Sequence, residues 1–213
     1  MLKPFQKYAL YFLILVYVSG AIGFVLNPAF FIPFTPYNLV FTSFVFLLHQ
    51  PVQKSAYLSG FLGLLVIGFI SEAVGVKTGL VFGEYSYGNS LGYALLGVPL
   101  TISLNWALLI NSGVLITKSL SDNKLLCAIF SASLITGIDL LIEQTAARMD
   151  FWYFKAGVAG IHNYIGWFVI SFFASFFFQK QIQAGDKKVA IIIIGLQVFF
   201  FGFIFVAKIL NIN

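Results

Sequence analysis

Residues 125–145 read LLCAIFSASLITGIDLLIEQT, a run of apolar and small residues interrupted by only two carboxylates, Asp139 and Glu143. Its length matches the roughly 20 residues that an α-helix needs to cross a bilayer's hydrocarbon core. Working outward, comparable runs lie at 6–26, 30–48, 56–74, 94–117, 161–178 and 189–209. Together they take up nearly all of the 213 residues, of which 60% are apolar and only 9% charged, against about 25% charged in soluble globular proteins. So few charges cannot cover a soluble surface. The chain therefore reads as all-α, a polytopic transmembrane helix bundle of about seven spans, six to eight at the bounds, forming a single integral membrane domain over residues 1–213. No room is left for a water-soluble catalytic domain.

The formal charge of +5 comes from lysines scattered through the connections, which is the pattern of membrane loops and not of a nucleic-acid patch. No nucleic-acid partner is expected. Lys3, Lys7, Lys54, Lys118, Lys124, Lys180, Lys187 and Lys188 fall on the N-terminal side of the spans, and Lys77, Arg148, Lys155 and Lys208 on the other. That bias predicts a cytoplasmic N-terminus. Lys3 and Lys7 ahead of an apolar run with Ser19, Gly20 and Ala21 have features of a secretory signal, but the run at 8–26 is longer than a signal core and reads as a retained first helix. Pro33 and Pro36 interrupt the second span, which is expected to be kinked or partly re-entrant. Cys127 is the one cysteine, so an internal disulfide and a thiolate metal cluster are excluded, and packing accounts for it.

Three carboxylates sit inside apolar helices: Glu72, Asp139 and Glu143. An unpaired carboxylate in a bilayer costs at least about 2.5 kcal/mol, so such groups face polar cavities. Asp139 and Glu143 are spaced i, i+4, on one helix face with Cβ atoms roughly 5 to 6 Å apart. Two acids that close in low dielectric do not both ionise readily, so one is expected to keep its proton and the pair to act as proton donor and acceptor. The same residues also fit a structural network with Arg148, Lys77 or a backbone partner, and spacing does not separate the two readings. A faint internal echo is present as well. Glu72 is followed by Lys77 and then Phe82, Tyr85 and Tyr87, while Glu143 is followed by Arg148 and then Phe151, Trp152 and Tyr153. If this is a two-helix repeat, both acids face one shared cavity.

The glycines of the 78–100 loop lack the Gly-Lys-Ser/Thr ending of a phosphate loop and instead let backbone turn at membrane depth. Tyr85, Tyr87, Tyr93, Trp106, Trp152, Tyr153, Tyr164 and Trp167 fit an interface belt by default, or a cage whose ring faces hold a positive charge. His162 and Asn163 open the sixth span and are expected to hydrogen-bond. A metal held by His162 with Glu72, Asp139 or Glu143 is the lesser reading, since a catalytic site takes about three ligands and His49 lies at the other end; no metal and no other cofactor is expected. Phe172, Phe173, Phe176, Phe177, Phe199, Phe200 and Phe201 read as lipid-facing filler.

The strings Phe82-Gly83-x-Tyr85-x-Tyr87, Leu91-Gly92, Gly97-Val98-Pro99-Leu100 and Trp106, then Asp139-x-x-x-Glu143-x-x-Ala146, Asp150-Phe151-Trp152 and Asn163-Tyr164-x-Gly166-Trp167, resemble the membrane carotenoid biosynthesis proteins. That family includes the carotenoid 1',2'-hydratases acting on gamma-carotene and on bisanhydrobacterioruberin. The resemblance runs from Glu72 to about Trp167. It departs at Gln144, where the family usually has proline, and at Gly160-Ile161-His162, where a Pro-x-Gln sequence is common.

What the resemblance implies is cofactor-independent addition of water to the terminal alkene of an acyclic carotenoid end. A strong acid, a surface that tolerates a tertiary cation and a base for water are then needed. Glu143 is the expected general acid, and Asp139 or Glu72 the group that orients and deprotonates water. Trp106, Trp152, Trp167 and Tyr85 would stabilise the cation, with Tyr87, His162 and Asn163 completing the substrate-binding set. Arg148, Asp150, Gly83 and Pro99 would support the loop. The substrate would be a lipid-soluble carotenoid arriving through the bilayer, other carotenoid enzymes are candidate partners, and the resemblance points to a bacterial cytoplasmic membrane. Readings from other classes are a proton-coupled transporter, a scaffold for carotenoid enzymes and a Schiff-base pigment, the last disfavoured because Lys208 lies at the end of the last span.

Overall fold

The computed structural model describes residues 4–182 and 184–212; Lys3, which entered the charge bias, lies outside the described residues. The chain runs through α1 (Pro4–Leu26), a short α2 (Pro28–Phe31), a 3-10 turn (Ile32–Phe34), α3 (Thr35–Leu48) and α4 (Ser55–Thr78). Three short strands follow, β1 (Tyr85–Tyr87), β2 (Ala94–Leu95) and β3 (Val98–Pro99). Then come α5 (Leu100–Thr117), α6 (Lys124–Glu143), β4 (Trp152–Phe154), α7 (Ile161–Ile182) and α8 (Lys187–Ile209). Counting 28–48 as one unit, seven helical segments among the described residues are long and apolar enough to cross a membrane. This is an integral membrane protein.

Local chemistry sets the helix ends. Asn27 Oδ1 accepts from Phe30 N at 3.3 Å with Pro28 in the first turn of α2, and Asn123 Oδ1 accepts from Leu125 N and Leu126 N at 2.9 and 3.1 Å at the start of α6. Asp186 does the same for α8. Pro33 and Pro36 fall in the first turns of the 3-10 segment and of α3, where a missing N–H costs nothing. The second span therefore kinks but is not re-entrant: it continues to Leu48, whose carbonyl accepts from Gln6 at the start of α1.

Two sequence boundaries are corrected. Residues 94–99, read as the start of a span, form a hairpin in which β2 pairs with β3. Leu96 and Gly97 both take positive φ, 54° and 81°, which is the backbone of a tight two-residue hairpin turn. The helix thus begins at Leu100. Conversely α4 runs past the apolar stretch to Thr78, where Gly79 closes it in the left-handed conformation, and Glu72 lies within the helix as expected.

At the centre stands α5, 83% of whose residues are buried; α3, α4, α6, α7 and α8 pack around it. Its small and polar residues, such as Ser103, Asn105, Asn111, Ser112 and Gly113, suit helix–helix packing better than lipid contact. Outward faces carry apolar side chains, among them Phe173 and Phe177. One end of the bundle is tied by Gln50 Oε1 accepting from Asp186 N at 2.8 Å and by Gln179 Nε2 donating to Lys124 O at 3.2 Å. At the opposite end Lys208 Nζ donates to Gln144 O at 2.9 Å, and there β1 pairs antiparallel with β4.

Candidate active site

The β1/β4 ribbon roofs the site. Its register sets Tyr85 opposite Phe154 and Tyr87 opposite Trp152, and the two-residue period of a strand puts all four on one face. Ser86 and Tyr153 lie on the other, exposed face. Beneath the ribbon, Phe82 is buried with its ring 6.2 Å from Trp106 and 6.3 Å from Trp167. Trp106 and Trp167 stack at 3.9 Å and 4°. A glycine makes that stack reachable: a Cβ on Gly68 of α4 would lie 2.6 Å from the Cβ of Trp106.

Glu72 accepts from three donors. Tyr85 and Tyr87 hydroxyls donate to its Oε2 at 2.5 and 2.6 Å, and Trp106 Nε1 donates to Oε1 at 2.8 Å. Burial first, then the neighbouring Glu72 carboxyl group, push both tyrosine hydroxyls well up from their ordinary value, so they remain neutral donors. The second acid assembly is more open. Asn163 Nδ2 donates to Asp139 Oδ2 at 2.7 Å and approaches Glu143 Oε1 at 3.4 Å, and Trp152 Nε1 donates to Glu143 Oε1 at 3.0 Å. Asp139 Oδ1 is buried with no hydrogen-bond partner among the described residues. Glu143 is only partly buried.

Glu72, Tyr85, Tyr87, Glu143, Asn163 and Trp167 converge on a cavity of about 10 Å³, close to the roughly 10–15 Å³ that one water molecule requires. Ile102 and Trp152 line this cavity and also a second one of about 480 Å³, whose other walls come mainly from α1, α2, α3 and α8. The large cavity is lined mainly by aromatic and aliphatic side chains. Phe12, Phe30, Phe34 and Tyr37, each more than half exposed, form part of its wall, so it opens sideways toward lipid between α1 and the proline-kinked span.

Several sequence expectations change here. Trp106 borders neither cavity; it is fully buried, with its Nε1 donating to Glu72. His162 is exposed, turned away from Asn163's side of α7, and its side chain makes no hydrogen bond among the described residues. Asp139 borders neither cavity and stands one helical turn behind Glu143. Arg148 lies over the Phe24 ring at 5.9 Å and Lys77 is exposed. The ion network is therefore overturned: among the described residues no ion pair involves the three buried acids. Phe200 and Phe201 turn into the large cavity instead of facing lipid.

The remaining supports lie close by. Asp150, at φ 54°, accepts from Asn89 N at 2.9 Å and from Tyr153 OH at 2.8 Å, while its carbonyl accepts from Ser90 Oγ at 2.6 Å. Gly83 turns the chain into β1 at φ 94°, and Pro99 ends the second hairpin directly before α5. Ile102 and Phe154 were not singled out in the sequence; the Trp152-x-Phe154 alternation was the available signal for the second, and Ile102 left none.

Fold and site together define an integral membrane protein whose buried acids adjoin a lipid-accessible apolar cavity. The model of the family described as carotenoid biosynthesis protein matches residues 34–212, and the chain belongs to that family. It is 28% identical over 165 residues to the bisanhydrobacterioruberin hydratase of Haloarcula japonica, a match covering 70% of this chain and 55% of that protein. The chain thus spans about half the length of this curated relative. No solved structure matches it.

Proposed function

We propose that the protein is a carotenoid hydratase, adding water across the terminal C1'–C2' double bond of an acyclic carotenoid end without a cofactor. The observation that carries this reading is the water-sized cavity between Glu72 and Glu143, which shares Ile102 and Trp152 as walls with the large apolar cavity. The polyene enters sideways from the bilayer, and its isopropylidene end comes to rest against Trp152. Glu143 donates a proton to C2', which breaks the π bond and leaves a tertiary cation at C1'. The faces of Trp152, Trp167 and Tyr87 stabilise that charge. Water in the small cavity bonds through its oxygen to C1', and its surplus proton passes to a carboxylate; the sum is one water added, with one proton given and one recovered.

Glu72 fits the accepting role better than Asp139, because Glu72 lines the cavity and its Oε1 accepts only one hydrogen bond. Asp139 and Asn163 hold Glu143 from behind. The test is pigment analysis by chromatography and mass spectrometry of cells making lycopene, gamma-carotene or an acyclic carotenoid that already carries a hydroxyl group, with and without this chain. A product heavier by one water, absent with Glu143→Gln at equal abundance, supports the reading. Full hydration by an inserted Glu143→Gln protein overturns the assignment of the acid.

A further inference from the structure

The large cavity is not uniformly apolar. On its wall, Gln197 of α8 and Asn105 of α5 meet, with Gln197 Nε2 donating to Asn105 Oδ1 at 3.1 Å. Gln197 is 2% exposed and Asn105 6%, yet the Gln197 carbonyl oxygen Oε1 has no hydrogen-bond partner among the described residues. Across the same cavity stand Tyr17 of α1, whose hydroxyl accepts from Thr42 Oγ1 at 3.3 Å, and Asn38 of α3, whose Oδ1 is likewise unpartnered. An unsatisfied buried amide oxygen costs about 1–3 kcal/mol, and at membrane depth bulk water does not relieve it. A wall of phenylalanines would hold a hydrocarbon chain without any of these groups, and four helices each contribute one. None of them takes part in the acid chemistry.

We infer that the cavity is built for an apolar isoprenoid chain that already carries a hydroxyl group, and that Gln197 is the residue that reads it. A hydroxyl is both donor and acceptor: its proton satisfies Gln197 Oε1, and its lone pairs remain for an amide N–H or the Tyr17 phenol. A hydrocarbon leaves Gln197 Oε1 unpaired. Discrimination is then of the strong kind, in which a site built to hydrogen-bond a ligand rejects the analogue lacking the group. This inference rests on the reading of the site as one that works on an isoprenoid end, and it narrows the substrate class to oxygenated chains.

The experiment uses the full chain in lipid nanodiscs, with farnesol and geranylgeraniol each compared with the hydrocarbon lacking the hydroxyl. Affinities come from the concentration dependence of thermal stabilisation. The expected result for the wild type is about tenfold tighter binding of each alcohol, falling to a ratio near one in Gln197→Leu. Because that variant leaves Asn105 unpaired, the double variant Asn105→Leu/Gln197→Leu, which removes both polar partners, serves if the single one folds poorly. A wild-type ratio near one overturns the inference, as does a preference that survives in both variants. Failure of the proposed function looks different: neither a hydrocarbon nor a hydroxylated carotenoid gains water in the pigment assay, while the alcohol preference and its loss in Gln197→Leu persist.

Discussion

Glu72 and Glu143 are the same residue type in the same kind of helix, and their surroundings separate them. Glu72 accepts three hydrogen bonds and Glu143 accepts through one oxygen only. Glu143→Gln keeps the shape and removes the acid; hydration is expected to fall about 10²- to 10⁴-fold with the melting temperature little changed, as pigment yield and thermal unfolding together would show. Glu72→Gln places an amide N–H₂ against either the indole N–H or two phenols, so it costs about 1–3 kcal/mol of stability alongside its effect on hydration. A Glu72→Gln protein as stable as the wild type would remove the hub from this account. The tyrosine shifts add a pH dependence. Tyr85 and Tyr87 are raised by burial and by Glu72, so the folded protein keeps protons that an unfolded tyrosine loses near pH 10. Their stabilisation is complete below about pH 10 and is lost as pH rises beyond it. Melting curves in detergent are expected to fall above that pH, and less steeply in Tyr85→Phe/Tyr87→Phe.

Among the elements, the β1/β4 ribbon was the least legible in the sequence. Seven apolar runs are visible because a bilayer demands length and hydrophobicity, and both can be read residue by residue. A three-residue strand carries no such signature, and the pairing of Tyr87 with Trp152 joins segments far apart in the chain. The i, i+4 spacing of Asp139 and Glu143 was readable, but which acid faces the cavity depends on α7 and the ribbon, as Asn163 and Trp152 show. Hydrophobicity also misled at 94–99, where apolar residues form a hairpin, and at Phe200 and Phe201, which line a cavity that only the packing of α1 against α8 reveals. Asp150 is the hinge of the ribbon, binding both Asn89 and Tyr153 from a left-handed backbone position. Asn tolerates that conformation and Ala does not. Asp150→Ala is therefore expected to lose about 1–3 kcal/mol and to expose the 83–92 loop to proteolysis, with Asp150→Asn close to wild type; equal damage from both would place the weight on charge instead of backbone shape.

At the scale of the whole molecule, the acids, the ribbon and Lys155 gather at one end of the bundle, while Lys54, Lys118, Lys124, Lys187 and Lys188 occupy loops and helix starts at the other. The charge bias predicts a cytoplasmic second end; in that orientation the acid site would lie toward the opposite face and draw its water there, while the polyene would come from the bilayer's interior. Cys127, the one cysteine, is buried, which makes the orientation measurable by single-cysteine labelling in a Cys127→Ser background. Lys155→Cys sacrifices only an exposed ion pair with Glu84, which solvent screens, and Lys187→Cys lies at the start of α8. In intact cells or spheroplasts an impermeant maleimide is expected to label position 155 at once and position 187 only after the membrane is opened. The reverse order would turn the molecule over and give the site cytoplasmic water, yet the sideways route for substrate would stand, because it depends on the opening between α1 and the kinked span and not on which face looks outward.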